Sequence, residues 1–430
     1  MNIAIVTDTY FPDINGVTSS IYTLAESLRT RGHNVYVFTV SEPKEELRKL
    51  KADPCVYRFP SVPLFFLKPH RAVLPFSVKL IRMMRKLKID IIHTQSEFFM
   101  GFVGLYVGIS MHIPIIHTYH TMLEEYTHYI AGGKLATPRM ARKFSSTFCN
   151  LVDSVIVPTQ KVEKSLISYH VKRPLYVIPT GIDLEPFHPN RHSDEEILRL
   201  KHSLGIDPKH RLILCLGRVA REKSIDIIIS NLSQIVRRIP DIRLLIVGDG
   251  PALSELKELS VRLGVSQFVY FAGPAPYSEI AKFYRLGDIF ISCSATETQG
   301  LTYYEAMASG LPVVARIDDS ISSLLIDNQN CRLFRDGHDI PEILDSILSD
   351  PEVTHQYSRM ARESVEIYSA STFAERVEDA YRNTIDRTRL KRTVRKQEMF
   401  RVPASKVFQS IKLVSPSNFI HRNASDQPID

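Results

Sequence analysis

Short apolar runs, each ending in a polar or glycine-bearing turn and alternating with stretches of helical spacing, constrain this chain more than any other feature. In the first half the runs are Asn2–Thr7, Val35–Val40, Ile89–His93, Ile113–Tyr119, Ser154–Val157 and Leu175–Ile178. Between the first two, Ile21, Leu24, Ala25 and Leu28 recur at helical spacing, and Gly32 closes the segment. The second half repeats the theme with Arg211–Leu216, Arg243–Val247, Phe268–Phe271, Ile289–Ser292 and Val313–Ala315, separated by helical stretches such as Ala252–Leu263 and Tyr277–Leu286. Strands that are apolar throughout and separated by helices fit a parallel sheet wrapped on both faces. A chain of 430 residues with 44% hydrophobic content can bury two such cores.

The expected architecture is therefore α/β, with two Rossmann-like domains facing each other. Residues 1–185 form the first and 195–360 the second, joined through the polar, proline-bearing stretch Pro179–Ser193. Gln356–Ile385 reads as helical; residues 361–390 are taken as terminal helices crossing back to the first domain, and 391–430 as a basic, then polar tail. Open parallel sheets bind ligands at the carboxyl ends of their strands, so the site belongs in the interdomain cleft. The cysteines, Cys55, Cys149, Cys215, Cys293 and Cys331, are odd in number and lack CxxC spacing, which suggests neither a disulfide framework nor a zinc site. No apolar run is long enough to span a bilayer, and the opening strand lacks the basic and apolar regions of a secretory signal, so a cytosolic location is expected.

The stretch Glu297-Thr-Gln-Gly-Leu-Thr-Tyr-Tyr-Glu305 places two carboxylates on either side of a glycine turn. If Thr302–Ser309 is helical, the amides of Gly300, Leu301 and Thr302 are donors at a helix N-terminus, where an anion is favoured. Hydroxyl acceptors at both ends with phosphate donors between them suit a nucleotide sugar. In GRVAREKSID, Arg218 and Lys223 follow a strand and a sharp glycine turn, as cations that neutralise a departing diphosphate do. Glu222 is alternatively a salt-bridge partner for either.

These motifs resemble those of retaining glycosyltransferases of the GT-B fold, the Glu-x7-Glu (family 4) type. The resemblance implies that Glu297 binds the donor sugar hydroxyls, that the Gly300–Thr302 amides meet sugar and phosphate, that Glu305 holds the ribose, and that Arg218 and Lys223 clamp the diphosphate. It also places Gly16, in the turn after the opening strand, near the donor phosphates, and Gly248, Gly273 and Pro274 beside the nucleotide. Of the histidines in HTYHTMLEEYTHYI, His117 and His128 read as core or hydrogen-bonded residues. His120, just past a strand, matches a family histidine near the transferred sugar. The family is described as reacting by front-face attack, in which the leaving diphosphate takes the acceptor proton. The resemblance implies no cofactor and no metal; Glu124 and Glu125 are the conceivable nucleophiles for the rival double displacement. The family more often has Phe at the position of Gln299.

The acceptor is to be sought in the first domain and its charge. The net charge is +7, and Leu64–Lys88 carries Lys68, Arg71, Lys79, Arg82, Arg85, Lys86 and Lys88 without an acid. A second basic run spans Arg382–Lys412. In Pro75–Lys88, Phe76, Leu80, Met83, Met84 and Leu87 form an apolar face flanked by Lys79, Arg82, Arg85 and Lys86. Such a helix either lies in an anionic membrane interface, at ~1 kcal/mol per cation, or packs on a sheet. Leu64–Leu67 is either a core strand or a membrane-dipping loop. SEFFMG, HTYHTMLEEYTHYI and ETQGLTYYEA, with Gln299, resemble the bacterial diacylglycerol α-glucosyltransferases. That subgroup implies glucose transfer from UDP-glucose to the 3-hydroxyl of diacylglycerol, at the cytoplasmic face of the membrane, for glycolipids and lipoteichoic acid anchors. Galactosyl or second glucosyl transfer onto a glycolipid, or mannosyl transfer to phosphatidylinositol, stay open on the same fold. Nucleic acid is the remote alternative, because the cations lack aromatic interleaving. Side-chain type does not separate glucose from galactose, and oligomeric state is left open.

Overall fold

The computed structural model describes residues 1–13, 15–41, 53–63, 71–73, 78–125, 137–294 and 297–401. Phe76, His128 and Leu64–Leu67 lie outside these residues, as does the side chain of Lys79. In the first domain the strands are β1 (Asn2–Val6), β2 (Asn34–Val40), β3 (Val56–Phe59), β4 (Ser61–Pro63), β5 (Arg71–Val73), β6 (Ile91–Thr94), β7 (Ile115–Thr118), β8 (Ser154–Val157) and β9 (Leu175–Val177). Its helices are α1 (Gly16–Thr30), α2 (Val78–Lys86), α3 (Phe99–Met111), α4 (Pro138–Leu151) and α5 (Gln160–Ser168). Among the described residues, seven strands form a parallel sheet in the order β3-β2-β1-β6-β7-β8-β9, and β4 pairs with β5 as a separate antiparallel hairpin.

The second domain holds β10 (Arg211–Leu216), β11 (Ile242–Val247), β12 (Val269–Gly273), β13 (Ile289–Ser292), β14 (Val313–Arg316) and β15 (Arg332–Phe334). Its helices are α6 (Asp194–Ser203), α7 (Ile225–Arg238), α8 (Leu253–Arg262), α9 (Ile280–Leu286), α10 (Leu301–Ala308), α11 (Ile340–Leu348) and α12 (Pro351–Val365). The sheet is parallel, ordered β12-β11-β10-β13-β14-β15. Leu212 and Leu214 face one apolar cluster while Ile213 and Cys215 face the other, so β10 is buried on both sides.

The last helix, α13 (Ala370–Arg401), returns to the first domain. Its Phe373, Val377, Tyr381 and Ile385 share a cluster with Ile3, Ile5, Ile21 and Leu24. The two strands of chain that pass between the domains run side by side, Ile182 N–H donating to Tyr368 O at 3.1 Å and Ala370 N–H to Ile182 O at 2.8 Å. The helix continues to Arg401, past the point where a basic tail was expected to begin; residues 402–430 lie outside the described residues. Arg and Lys are good helix formers, so a basic run is compatible with continued helix.

A second correction concerns α2. Its apolar side is occupied: Leu80 and Met84 are 1% and 0% exposed and pack with Met100, Val103 and Val107 of α3. Pulling α2 away to lay that face in a bilayer would uncover Val103 and Val107 and forfeit about 1.5–3 kcal/mol for each buried side chain. Of the two readings of this helix, packing on the sheet is the one found. Arg82, Arg85, Lys86 and Lys88 remain exposed.

Candidate active site

The turn at Gly300 is glycine by necessity. Its φ of 77° is left-handed, and a Cβ there would stand 2.6 Å from the Tyr303 ring. Gly300 is the N-cap of α10 without a side-chain cap, so the first amides of the helix have no intrahelical acceptor. The helix begins at Leu301, one residue before the expected start. Just ahead of it, Glu297 accepts from Lys223 Nζ at 2.6 Å, with the two side chains 9% and 28% exposed. The residues expected to meet sugar and diphosphate are thus in direct contact across 74 positions of sequence. Arg218, half exposed, lies with its guanidinium 3.7 Å from Glu222, which is therefore the partner of Arg218 while Lys223 takes Glu297.

Glu305, on α10, is buried and accepts from Tyr284 Oη of α9 at 2.7 Å. Burial raises its pKa to about 7, with the Tyr284 hydrogen bond pulling the other way. A raised carboxyl favours folding when protonated, so this contribution is present below about 4.5 and fades as pH rises towards about 7. Gly16, the first residue of α1, comes from the opposite domain: a Cβ on it would stand 3.7 Å from Leu301. Gly248 has a structural reason of its own, since a Cβ there would collide with Gly217 O at 1.9 Å. Its N–H donates to Gly273 O at 2.8 Å, and this pair, with Pro274 following, closes the β11 and β12 end of the sheet.

His120 follows β7 and is partly buried, its Nε2 2.6 Å from Gln95 Oε1. Burial, aided by His117, lowers its pKa to about 3, leaving the ring neutral at ordinary pH. His117 itself is fully buried, with Nδ1 3.0 Å from Thr94 O. Behind His120 a buried chain runs from Gln95 to His93 and on to Tyr381 of α13, the last step at 2.7 Å. Glu124 lies 3.8 Å from Arg142, whereas Glu125 has its pKa raised by burial, offset by Lys161 and reinforced by the negative charges of Asp318 and Glu297. Among the described residues no group of three His, Cys, Asp or Glu is placed to hold a metal ion.

Several contacts that hold this site have no local sequence signal. Gln299 reaches the interdomain segment, its Oε1 accepting from Thr180 N–H and its Nε2 donating to Thr180 O, both at 2.8 Å. Thr180 Oγ1 is in turn 3.2 Å from Ser20 Oγ of α1. Thr159, the N-cap of α5, donates to Thr298 O at 3.2 Å, and Lys161 pairs with Asp318 at 3.1 Å. Ser320 Oγ donates to the backbone oxygen of Glu297. The Glu297 flank of the turn is therefore held within its own domain, by Ser320 and Lys223, while Thr298 and Gln299 are held by the first domain and the linker. Gln95 and Thr159 do follow β6 and β8 closely, at carboxyl ends where ligand-side residues are expected.

Two parallel α/β domains with a carboxylate-and-cation cleft define the chain as a GT-B glycosyltransferase. Residues 14–186 match the model of Glycosyltransferase Family 4 and residues 196–364 that of Glycosyl transferases group 1; the chain belongs to this glycosyltransferase family. It is 36% identical to the alpha-monoglucosyldiacylglycerol synthase of Streptococcus pneumoniae over 386 residues, covering 90% of this chain and 86% of that protein. The Acholeplasma laidlawii protein of the same name is 34% identical over 398 residues, covering 91% and 99%. Among solved structures, Anabaena HepE in complex with UDP and glucose superposes with a TM-score of 0.73 at 18% identity, over 89% of this chain and all of that one, a likeness of fold.

Proposed function

We propose that the protein transfers glucose from UDP-glucose to the 3-hydroxyl of 1,2-diacylglycerol with retention, giving α-monoglucosyldiacylglycerol for membrane glycolipids and lipoteichoic acid anchors. The observation that carries the chemistry is the contact between Lys223 and Glu297 beside the Gly300 turn. The choice of lipid is supported by two relatives that share that activity's name over nine-tenths of the chain. In this reading Arg218 and Lys223 stabilise the diphosphate as its bond to the sugar C1 breaks. The acceptor oxygen bonds C1 on the same face, and its proton passes to a diphosphate oxygen. Glu297 holds glucose hydroxyls, and neutral His120 orients the reacting sugar. The amides of Gly300, Leu301 and Thr302, with Gly16, Gly248, Gly273 and Pro274, line the donor. The first domain receives the lipid, with the exposed cations Arg82, Arg85, Lys86 and Lys88 turned to anionic headgroups. No described helix is long and apolar enough to cross a membrane, and the reading is a peripheral enzyme at the cytoplasmic face.

The test is incubation of the purified protein with UDP-glucose or UDP-galactose and diacylglycerol in anionic vesicles, with lipid products resolved by mass spectrometry and anomeric NMR. An α-glucosyl lipid made from UDP-glucose is expected. Product formed only with UDP-galactose, with a glycolipid acceptor or with phosphatidylinositol would replace this substrate pair.

The assignment of Glu305 to ribose carries its own pH signature. Two ribose hydroxyls donate to an ionised carboxylate, so binding must expel the proton that burial keeps up to about pH 7. UDP-glucose, whose diphosphate is ionised throughout this range, should bind up to about tenfold more weakly for each pH unit below 7. Calorimetry of Glu305→Gln should show a flat profile over pH 5.5–7.5; a slope equal to that of the unmodified protein would remove Glu305 from the ribose.

A further inference from the structure

Three consecutive helices on one face of the first sheet, α2, α3 and α4, contain no aspartate or glutamate. Together they carry Lys79, Arg82, Arg85 and Lys86 on α2, and Arg139, Arg142 and Lys143 on α4. The middle helix, α3, has no charge at all. Its inner side is committed on both flanks: Met100, Val103 and Val107 pack with Leu80 and Met84 of α2, while Leu105 packs with Phe148 and Cys149 of α4. Its outer side is apolar as well. Phe99, Phe102 and Ile109 are 36%, 43% and 58% exposed, and Met140 of α4 is 58% exposed. Phe144 of α4 joins the two helices through its ring contacts with Phe98 and Phe102.

An ordinary surface helix puts charge where α3 puts phenylalanine and isoleucine. Exposed apolar side chains in a row, rimmed by cations on both sides and by no acid from any of the three helices, match one kind of surface: an acyl boundary beneath negatively charged headgroups. Arg142 faces Glu124 at 3.8 Å, so on the α4 side the exposed Arg139 and Lys143 are the charges left for headgroups. On the other side Arg82, Arg85 and Lys86 are exposed. The apolar face of α2 is spent on the core, which leaves α2 its charges and α3 the exposed apolar side chains.

We propose that the α2–α3–α4 face docks on an anionic bilayer, with Phe99, Phe102, Ile109 and Met140 entering the headgroup–acyl boundary and the cations of α2 and α4 seated on headgroups at either side. This inference rests on the reading of the acceptor as a membrane lipid, and it names the part of the surface that meets the membrane.

The chain has no tryptophan, which makes a single introduced indole a clean reporter. Full-length Ile109→Trp and, as a control on the donor domain, Val261→Trp, which replaces a residue 68% exposed on α8, are titrated with vesicles of phosphatidylcholine alone or mixed equally with phosphatidylglycerol. The indole in Ile109→Trp is expected to shift to the blue and to be quenched by brominated acyl chains on the mixed vesicles only, while that in Val261→Trp does neither. Ile109→Ser combined with Met140→Ser, both at well-exposed positions, should weaken partitioning to the mixed vesicles about tenfold or more with an unchanged Tm. Three results would overturn the proposal: vesicle binding with no change at Ile109→Trp, an indole there already shielded from aqueous iodide before lipid is added, or a shift that follows protein concentration through self-association. Transfer to diacylglycerol in detergent micelles, measured on the unmodified protein, separates the two readings. A docked but inactive protein removes the acceptor assignment alone, and an active protein that does not dock through this face removes the docking proposal alone.

Discussion

Lys223→Met is expected to lower kcat for glucosyl transfer by about 10³-fold or more, equivalent to ~4 kcal/mol of lost transition-state stabilisation, while Tm stays within a few degrees. Methionine keeps the length of the lysine stem and removes only the ammonium. In the proposed mechanism that ammonium balances charge growing on the diphosphate as the C1–O bond breaks, an interaction stronger in the transition state than in bound UDP-glucose. The loss should therefore fall on kcat more than on KM. A second consequence follows from the 2.6 Å contact: the change leaves Glu297, 9% exposed, without its cation. Glu297→Gln removes the same charge pair from the other side and should also cost about 10²-fold or more in kcat. Because the two residues touch, their losses should not add; the double variant is expected to be close to the worse single one. Additive losses across the cycle, or a Lys223→Met enzyme with full kcat, would separate the ion pair from the reaction.

The architecture was legible because its signals are local. Strands such as Arg211–Leu216 are apolar on both faces, and that alone calls for a sheet covered on both sides. The glycosyltransferase family was legible for a similar reason, since Glu297, Gly300 and Glu305 stand within one short segment. What the residues could not reveal depends on distant partners. The stripe on α2 has the same periodicity whether lipid or protein covers it, and only packing against Val103 and Val107 decides for protein. Conversely, nothing in the uncharged sequence of α3 sets its inner side apart from its outer one, and the exposure of Phe102 and Ile109 emerges only when the helix is placed at the surface of the sheet. The raised pKa of Glu305 comes from its burial, with Tyr284 in contact from 21 positions away. Lys223 with Glu297, and Gln299 with Thr180, are pairs between elements that no spacing rule connects.

Gln299→Leu should reduce kcat by about 10²-fold and lower Tm by several degrees, although the residue is not expected to touch donor or acceptor. Leucine fills nearly the same space but abandons both 2.8 Å bonds to Thr180, whose N–H and C=O lie in a residue only 5% exposed. Each buried group left without a partner costs ~1–3 kcal/mol, which accounts for the expected fall in Tm. The catalytic loss has a separate origin. Gln299 lies between Glu297 and Gly300, and Thr180 is tied to Ser20 on α1, so this amide links the carboxylate turn to the first domain. Releasing it lets the turn shift relative to the first domain, and a misplacement of ~1 Å at a reacting centre can cost about 10²-fold. Gln299→Phe is the sharper comparison, since phenylalanine is the residue that the motif resemblance leads one to expect at this position. If the amide pairing sets the turn, phenylalanine should fail as leucine does, with UDP-glucose affinity less affected than kcat. Wild-type turnover in either variant would show that the turn is held by Thr159 on Thr298 and Ser320 on Glu297 without help from the linker.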